Sequence, residues 1–109
     1  MTDELYIVTT VPESHVSAVL DAIASAGGGQ IGSYTHCAFT HTGVGRFKPA
    51  GDAHPHIGAV GEINAVDEWR IETFCARSQG RAVVDAIRAA HPYEQPVIYV
   101  IPLLDPDML

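Results

Sequence analysis

The sequence predicts a small α+β domain in which a four-stranded antiparallel sheet carries two helices on one face, the ferredoxin-like arrangement reached by the order βαββαβ. Three observations lead there. Four runs rich in β-branched and aromatic residues occur, two amphipathic helical patterns are interleaved with them, and no linker, repeat or low-complexity tract divides the 109 residues. One domain spanning residues 1–109 is the expected organisation, large enough to bury roughly two thirds of its unfolded surface.

The first strand is "LYIVTTV", residues 5–11, bounded by Pro12. From Glu13 to Ala26, Val16, Val19, Leu20 and Ile23 recur at three- and four-residue steps, and Gly27-Gly28-Gly29 ends the pattern, which makes this an amphipathic helix. "IGSYTHCAFT", residues 31–40, is expected as strand two. Residues 42–66 hold five glycines and two prolines and read as a long connection, with room for a short strand around Gly45 to Lys48. "EWRIETFCA", residues 68–76, reads as strand three. In "SQGRAVVDAIRAAH" a second helix aligns Val83, Val84, Ile87 and Ala90, and Pro92 stops it at His91. "PVIYVIPL", residues 96–103, is the last strand, with its prolines near the ends, where a missing N–H is tolerated.

Topology alone places the loops. Right-handed crossover makes strands one and two run the same way, with strands three and four opposed to them. One edge of the sheet then collects His15 at the start of helix one, the connection from His41 onward with His54 and His56, and the turn "HPYEQ" beginning at His91.

Composition excludes several functions. A net charge of −7 with six scattered Lys and Arg residues argues against nucleic acid as a partner. No apolar run approaches the roughly 20 residues of a membrane span, and the acidic start Met1-Thr2-Asp3-Glu4 lacks the pattern of a signal peptide, so a cytoplasmic location is expected, with no membrane partner. Cys37 and Cys75 are too few for a disulfide framework, form no C-x-x-C pair, and are expected as buried free thiols, with Cys37 packed as a small apolar residue beside the helices. No nucleophile elbow and no Ser or Cys with a neighbouring base point to covalent catalysis.

The candidate site residues divide between the sheet and the top edge. Strand alternation from residue 31 puts Tyr34, His36, Ala38 and Thr40 on one face and Cys37 and Phe39 on the other; on strand three it groups Arg70 with Glu72 and separates them from Trp69, Ile71 and Thr73. Glu72 is then placed to hydrogen-bond His36 across the sheet, and His36 reads either as that structural partner or as a ligand contact. In "DAHPHIG", His54 and His56 have the two-residue spacing by which an extended segment aims two imidazoles at a divalent transition metal such as zinc or copper, with His41, His91 or Glu94 as further donors. His91, Tyr93 and Glu94 bring an imidazole, a phenol and a carboxylate to the edge where topology predicts a cleft.

The motifs "GGGQIGSYTHCAFT", "GVGRFKP", "HPHIGAVGEINAVDEWRIE" and "HPYEQPVIYVIPL" agree in order, over about Leu5 to Leu103, with one family. The chain resembles the PII/CutA-like domain inserted into YqfO-type proteins of the Nif-three-like family. The resemblance implies a fold shared with PII signalling proteins and CutA, assembly as a homo-oligomer, a trimer by analogy, and effector clefts between subunits flanked by residues 42–66 and His91 to Gln95. It does not bring the two-metal core of the full-length proteins, which the chain does not match. The expected function is a non-catalytic regulatory module that binds a small molecule or metal through His36, Glu72, His91, Tyr93 and Glu94, with His54 and His56 for a metal. The alternatives are a metal-dependent enzyme whose site is completed across subunits, and a structural oligomerisation or capping module.

Overall fold

The computed structural model describes residues 3–109. Its elements are β1 (Glu4–Val11), α1 (Val16–Ser25), β2 (Phe39–Phe47), β3 (Asn64–Ala76), α2 (Gly80–Ala90) and β4 (Ile98–Pro102), and single 3-10 turns at Glu13–His15 and Arg77–Gln79 lead into the helices. The strands form one sheet in the order β2-β3-β1-β4, every neighbouring pair antiparallel. The expected α+β, ferredoxin-like fold is what forms, with β1 parallel in direction to β2 and opposed to β3 and β4.

The core lies between the helices and one face of the sheet. Leu5, Ile7 and Val11 of β1 and Ile71 and Cys75 of β3 meet Val19 and Ile23 of α1 and Val83 and Ile87 of α2. Each fully buried aliphatic side chain contributes roughly 1.5–3 kcal/mol. Two buried hydroxyls on this face are satisfied: Thr9 Oγ1 donates to the Val97 carbonyl at 2.7 Å and Thr73 Oγ1 to the Cys37 carbonyl at 2.8 Å. Cys75 is a free, buried thiol, pushed up by that burial and by nearby Glu4.

Strand two is the main correction. Residues 31–38 do not extend: Gly32 and His36 take positive φ, and Ile31 and Tyr34 exchange backbone hydrogen bonds across a tight turn. The turn is tied to the sheet where the Gly29 N–H donates to the Phe74 carbonyl and the Cys37 N–H to the Gly29 carbonyl. β2 therefore starts at Phe39 and runs through the glycines to Phe47. Phe39, expected beside the helices with Cys37, stands opposite Glu72 on the helix-free face, and Thr40 opposite Ile71 on the helix face. Cys37 is half-buried in the loop.

β3 also starts earlier than its sequence suggests, at Asn64. Its pairing with β1 ends at Trp69–Val11, so Asn64–Glu68 pair only with Gly43–Phe47. This two-stranded ribbon overhangs the rest of the sheet and carries the connection 48–63 out to the top edge.

Candidate functional site

The overhanging ribbon, its connecting loop and the turn after α2 enclose a cavity of about 660 Å³ on the helix-free side of the sheet. That volume suits a small molecule. The loop is folded back over the ribbon: the His54 N–H donates to Glu94 Oε1 at 3.1 Å, and the His56 ring lies 6.0 Å from His15 and 6.2 Å from Tyr93 between centroids. The top-edge gathering of His15, His56 and His91 expected from topology is present. It follows from right-handed crossover, which brings the ends of β1 and β2 and the start of β4 to one edge.

Glu68 forms part of the floor. It is only 8% exposed although it stands on the helix-free face. Its side chain crosses from its own partner, Gly43, to lie over Gly45, where an added Cβ would sit 1.5 Å from Glu68 Oε1. Gly45 thus supplies the space in which this carboxylate is held, while Gly43 leaves open space beside it, with nothing within 4 Å of where a Cβ would be. Glycine inside a strand often marks such a close approach. Among the described residues Glu68 makes no ion pair.

Tyr93 forms the opposing wall. Its hydroxyl is buried and is the one side-chain polar atom of that kind, among the described residues, left without a hydrogen-bond partner. Burial first, and the neighbouring Glu68 second, push the phenol up to about 12. Glu68 is therefore close enough to be felt electrically, yet the two do not close into a well-formed hydrogen bond. At neutral pH Tyr93 keeps its proton.

His91 underlies Tyr93, with ring centroids 4.8 Å apart. Its Nε2 donates to the Thr10 carbonyl at 2.7 Å and its Nδ1 accepts from the Tyr93 N–H at 3.1 Å. Those two bonds fix the neutral tautomer with the proton on Nε2. Burial lowers the imidazole's pKa, against the opposing pull of the Thr10 bond and Glu68. Both ring nitrogens are used in holding the turn against β1.

Glu72 and His36 do not meet. The Glu72 carboxylate accepts from the Tyr6 hydroxyl, from His41 Nε2 at 3.2 Å, and pairs with Arg70 Nε at 3.5 Å. The Tyr6 bond, and then His41 and Arg70, hold it below the usual carboxylate range in spite of its desolvation. His36, displaced from the sheet by its positive φ, reaches Asp21 of α1 at 3.2 Å instead. The structure thus overturns the expected His36–Glu72 hydrogen bond. Of the remaining predicted residues, Tyr93, Glu94 and His56 line the cavity, and His54 contributes its backbone N–H to the loop clasp. No group of three or more His, Cys, Asp or Glu side chains among the described residues is arranged to hold a metal ion.

The cavity is basic for so acidic a protein. Arg46, Lys48 and Arg70 line it, three of the six Lys and Arg residues in a chain of net charge −7, against the acids Glu68 and Glu94. Arg70 is already paired with Glu72, whereas Arg46 and Lys48 have no ion pair among the described residues. Sequence reasoning missed Glu68, Gly43 and Gly45. The available signal was the G-x-G spacing, which puts both glycines on one strand face.

By fold the chain is a PII/CutA-like domain. It aligns over 94% of its length with the structure of the periplasmic divalent cation tolerance protein CutA from Archaeoglobus fulgidus, at a TM-score of 0.67 and 17% identity, covering 85% of that chain. More particularly, it is the counterpart of a domain carried by NIF3-related proteins: a Bacillus cereus protein related to NIF3 matches 95% of the chain at a TM-score of 0.82 and 36% identity, covering 26% of that protein. The GTP cyclohydrolase 1 type 2 homolog of Bacillus subtilis is 43% identical over 93 residues, 85% of this chain and 25% of that protein. The chain thus spans about a quarter of the length of the curated relatives it matches. No protein-family model matches it. No helix among the described residues is long and apolar enough to cross a membrane.

Proposed function

We propose that the protein is a non-catalytic, cytoplasmic regulatory module that binds a small molecule in the cavity beneath the 48–63 loop, as a homo-oligomer whose neighbouring subunit closes the open side of the cleft. The observation that carries this reading is the buried, unpartnered Tyr93 hydroxyl beside buried Glu68. Buried polar groups are almost always satisfied, and an orphan at a cavity wall is accounted for when a ligand completes it. Tyr93 and Glu94 are the predicted residues that contact the ligand directly. His91 positions Tyr93, and Glu72, bonded to Tyr6 and His41, holds the sheet face on which the neighbour rests. A zinc or copper ion held by His54 and His56 needs donors from another copy, since two imidazoles complete half of such a site.

The test is native mass spectrometry of protein purified without added metal. An oligomer of about three chains retaining a small organic molecule supports the proposal. A bare monomer overturns it, and a retained metal lost in the His54→Ala/His56→Ala variant replaces the organic ligand with an ion.

A further inference from the structure

Resting on the small-molecule reading, we propose a chemical class for the ligand: a free α-amino acid with an apolar side chain, its ammonium group on Glu68, its carboxylate on the Tyr93 hydroxyl and its side chain over the bare floor at Gly43 and Gly45. The two protein groups make opposite demands. Glu68 contributes charge: it is 8% exposed, lines the cavity, and has no ion pair among the described residues. Buried charges are as a rule paired, so a cation belongs beside it. Tyr93 contributes the unmet hydrogen bond, because its buried hydroxyl has no partner and, with its pKa pushed up to about 12, keeps a proton to donate. An anionic oxygen is the strongest acceptor for it. Glu68 lies near enough to act on the phenol, so the ligand has to bring a cation and an acceptor close together. The α-carbon of an amino acid carries both.

Neither charge fits by itself. Arg46, Lys48 and Arg70 line the same cavity and oppose a simple amine, while Glu68 and Glu94 oppose a simple carboxylate. A zwitterion adds no net charge and meets both signs. Arg46 and Lys48 have no ion pair among the described residues, so their field favours the carboxylate end, whereas Arg70 is engaged by Glu72. The side chain is set by what surrounds the floor. Nothing lies within 4 Å of where a Cβ on Gly43 would be, and the atoms nearest to one on Gly45 belong to Glu68. Phe47, Val97 and Tyr99 line the cavity around this floor, and an aliphatic or aromatic side chain gains by leaving water against them.

The experiment is calorimetric titration of the full chain with leucine and with phenylalanine, each beside its deamino analogue (isocaproate, phenylpropanoate) and its decarboxy analogue (isoamylamine, phenylethylamine). Binding of at least one of the two amino acids is expected, with both of its analogues about tenfold or more weaker, since each lacks one charge-assisted hydrogen bond. Alanine, with the same head group and a single methyl, should also be weaker. Glu68→Gln should erase the advantage over the deamino analogue, and Tyr93→Phe the advantage over the decarboxy analogue. Gly45→Ala should act as Glu68→Gln does, because its methyl group displaces only the flexible end of Glu68 and leaves thermal unfolding near the wild-type temperature. Failure of both amino acids to bind overturns the assignment, as does an analogue or alanine that binds as tightly as the parent, or an advantage that survives its matching substitution. A different metabolite retained by the purified protein overturns this ligand class while leaving the small-molecule reading intact; a bare monomer that binds nothing ends both.

Discussion

A hydroxyl that is buried with no partner makes the unliganded protein less stable than it could be. Tyr93→Phe removes that hydroxyl and keeps the ring against His91 and His56. The expected outcome is a gain of about 1 kcal/mol in the unliganded protein, since an unsatisfied buried group costs roughly that or more. It should appear as a higher urea midpoint at unchanged slope, together with weaker ligand binding. No gain would mean that water already satisfies the phenol. His91 gives a pH prediction. Its folded pKa lies below its ordinary 6.5, chiefly through burial, with His15 and His56 acting the same way and the Thr10 bond and Glu68 opposing. The unfolded imidazole therefore takes up its proton at higher pH than the folded one. Stability is full above about 6.5 and falls as pH drops from there towards the folded value. Thermal unfolding between pH 7.5 and 5 should show that fall, and His91→Gln should flatten it.

At the scale of single elements, glycines decide both what could be read in the sequence and what could not. The end of α1 was legible because Gly27 is its left-handed cap: at φ +95° its N–H donates to Ala24 and the Gly28 N–H to Ile23, the Schellman pattern. Gly27→Ala should cost more than about 1 kcal/mol, since a Cβ there is strained and would also lie 2.4 Å from Gln79 Nε2. Chemical denaturation measures it, and a neutral result would remove the cap from the account. β2 was misplaced for the opposite reason. Gly43 and Gly45 look like loop residues, but their missing side chains make room for Glu68 and the cavity, while the β-favouring segment 31–38 turns at Gly32 and His36. Alternation does identify the helix-free face of β3, with Arg70 and Glu72 on it. It does not reveal that Glu68 is buried there, because that burial depends on a residue of another strand. The loop, in turn, is held by one contact that is testable. Glu94→Ala removes the acceptor of the His54 N–H and should speed hydrogen exchange and proteolysis within 48–63 without unfolding the sheet.

For the molecule as a whole, the open question is what covers the face of the sheet that has no helices. It exposes Phe39 at 66%, Tyr99 at 58% and Ile101 at 49%, three large side chains on one surface, because strand pairing sets Phe39 opposite Glu72, Tyr99 opposite Val8 and Ile101 opposite Tyr6. Large apolar side chains exposed at both edges of the open face of a single-layer sheet mark an association surface. The face also carries the Tyr6, His41 and Arg70 contacts to Glu72, so the Glu72 carboxylate at its centre is already paired within the chain. The trimer proposed above would use this surface, and the cavity lies on the same side of the sheet. Sedimentation velocity at micromolar concentration should therefore give about three chains. Phe39→Glu with Ile101→Glu, which places charges on that face, should give monomers with unchanged far-ultraviolet circular dichroism. Ligand affinity should fall with assembly even though neither residue lines the cavity, because a cleft closed by a neighbour loses one wall when the neighbour leaves. Monomers that bind as tightly as the wild type would assign the whole site to one chain and leave the sheet face a role in assembly alone.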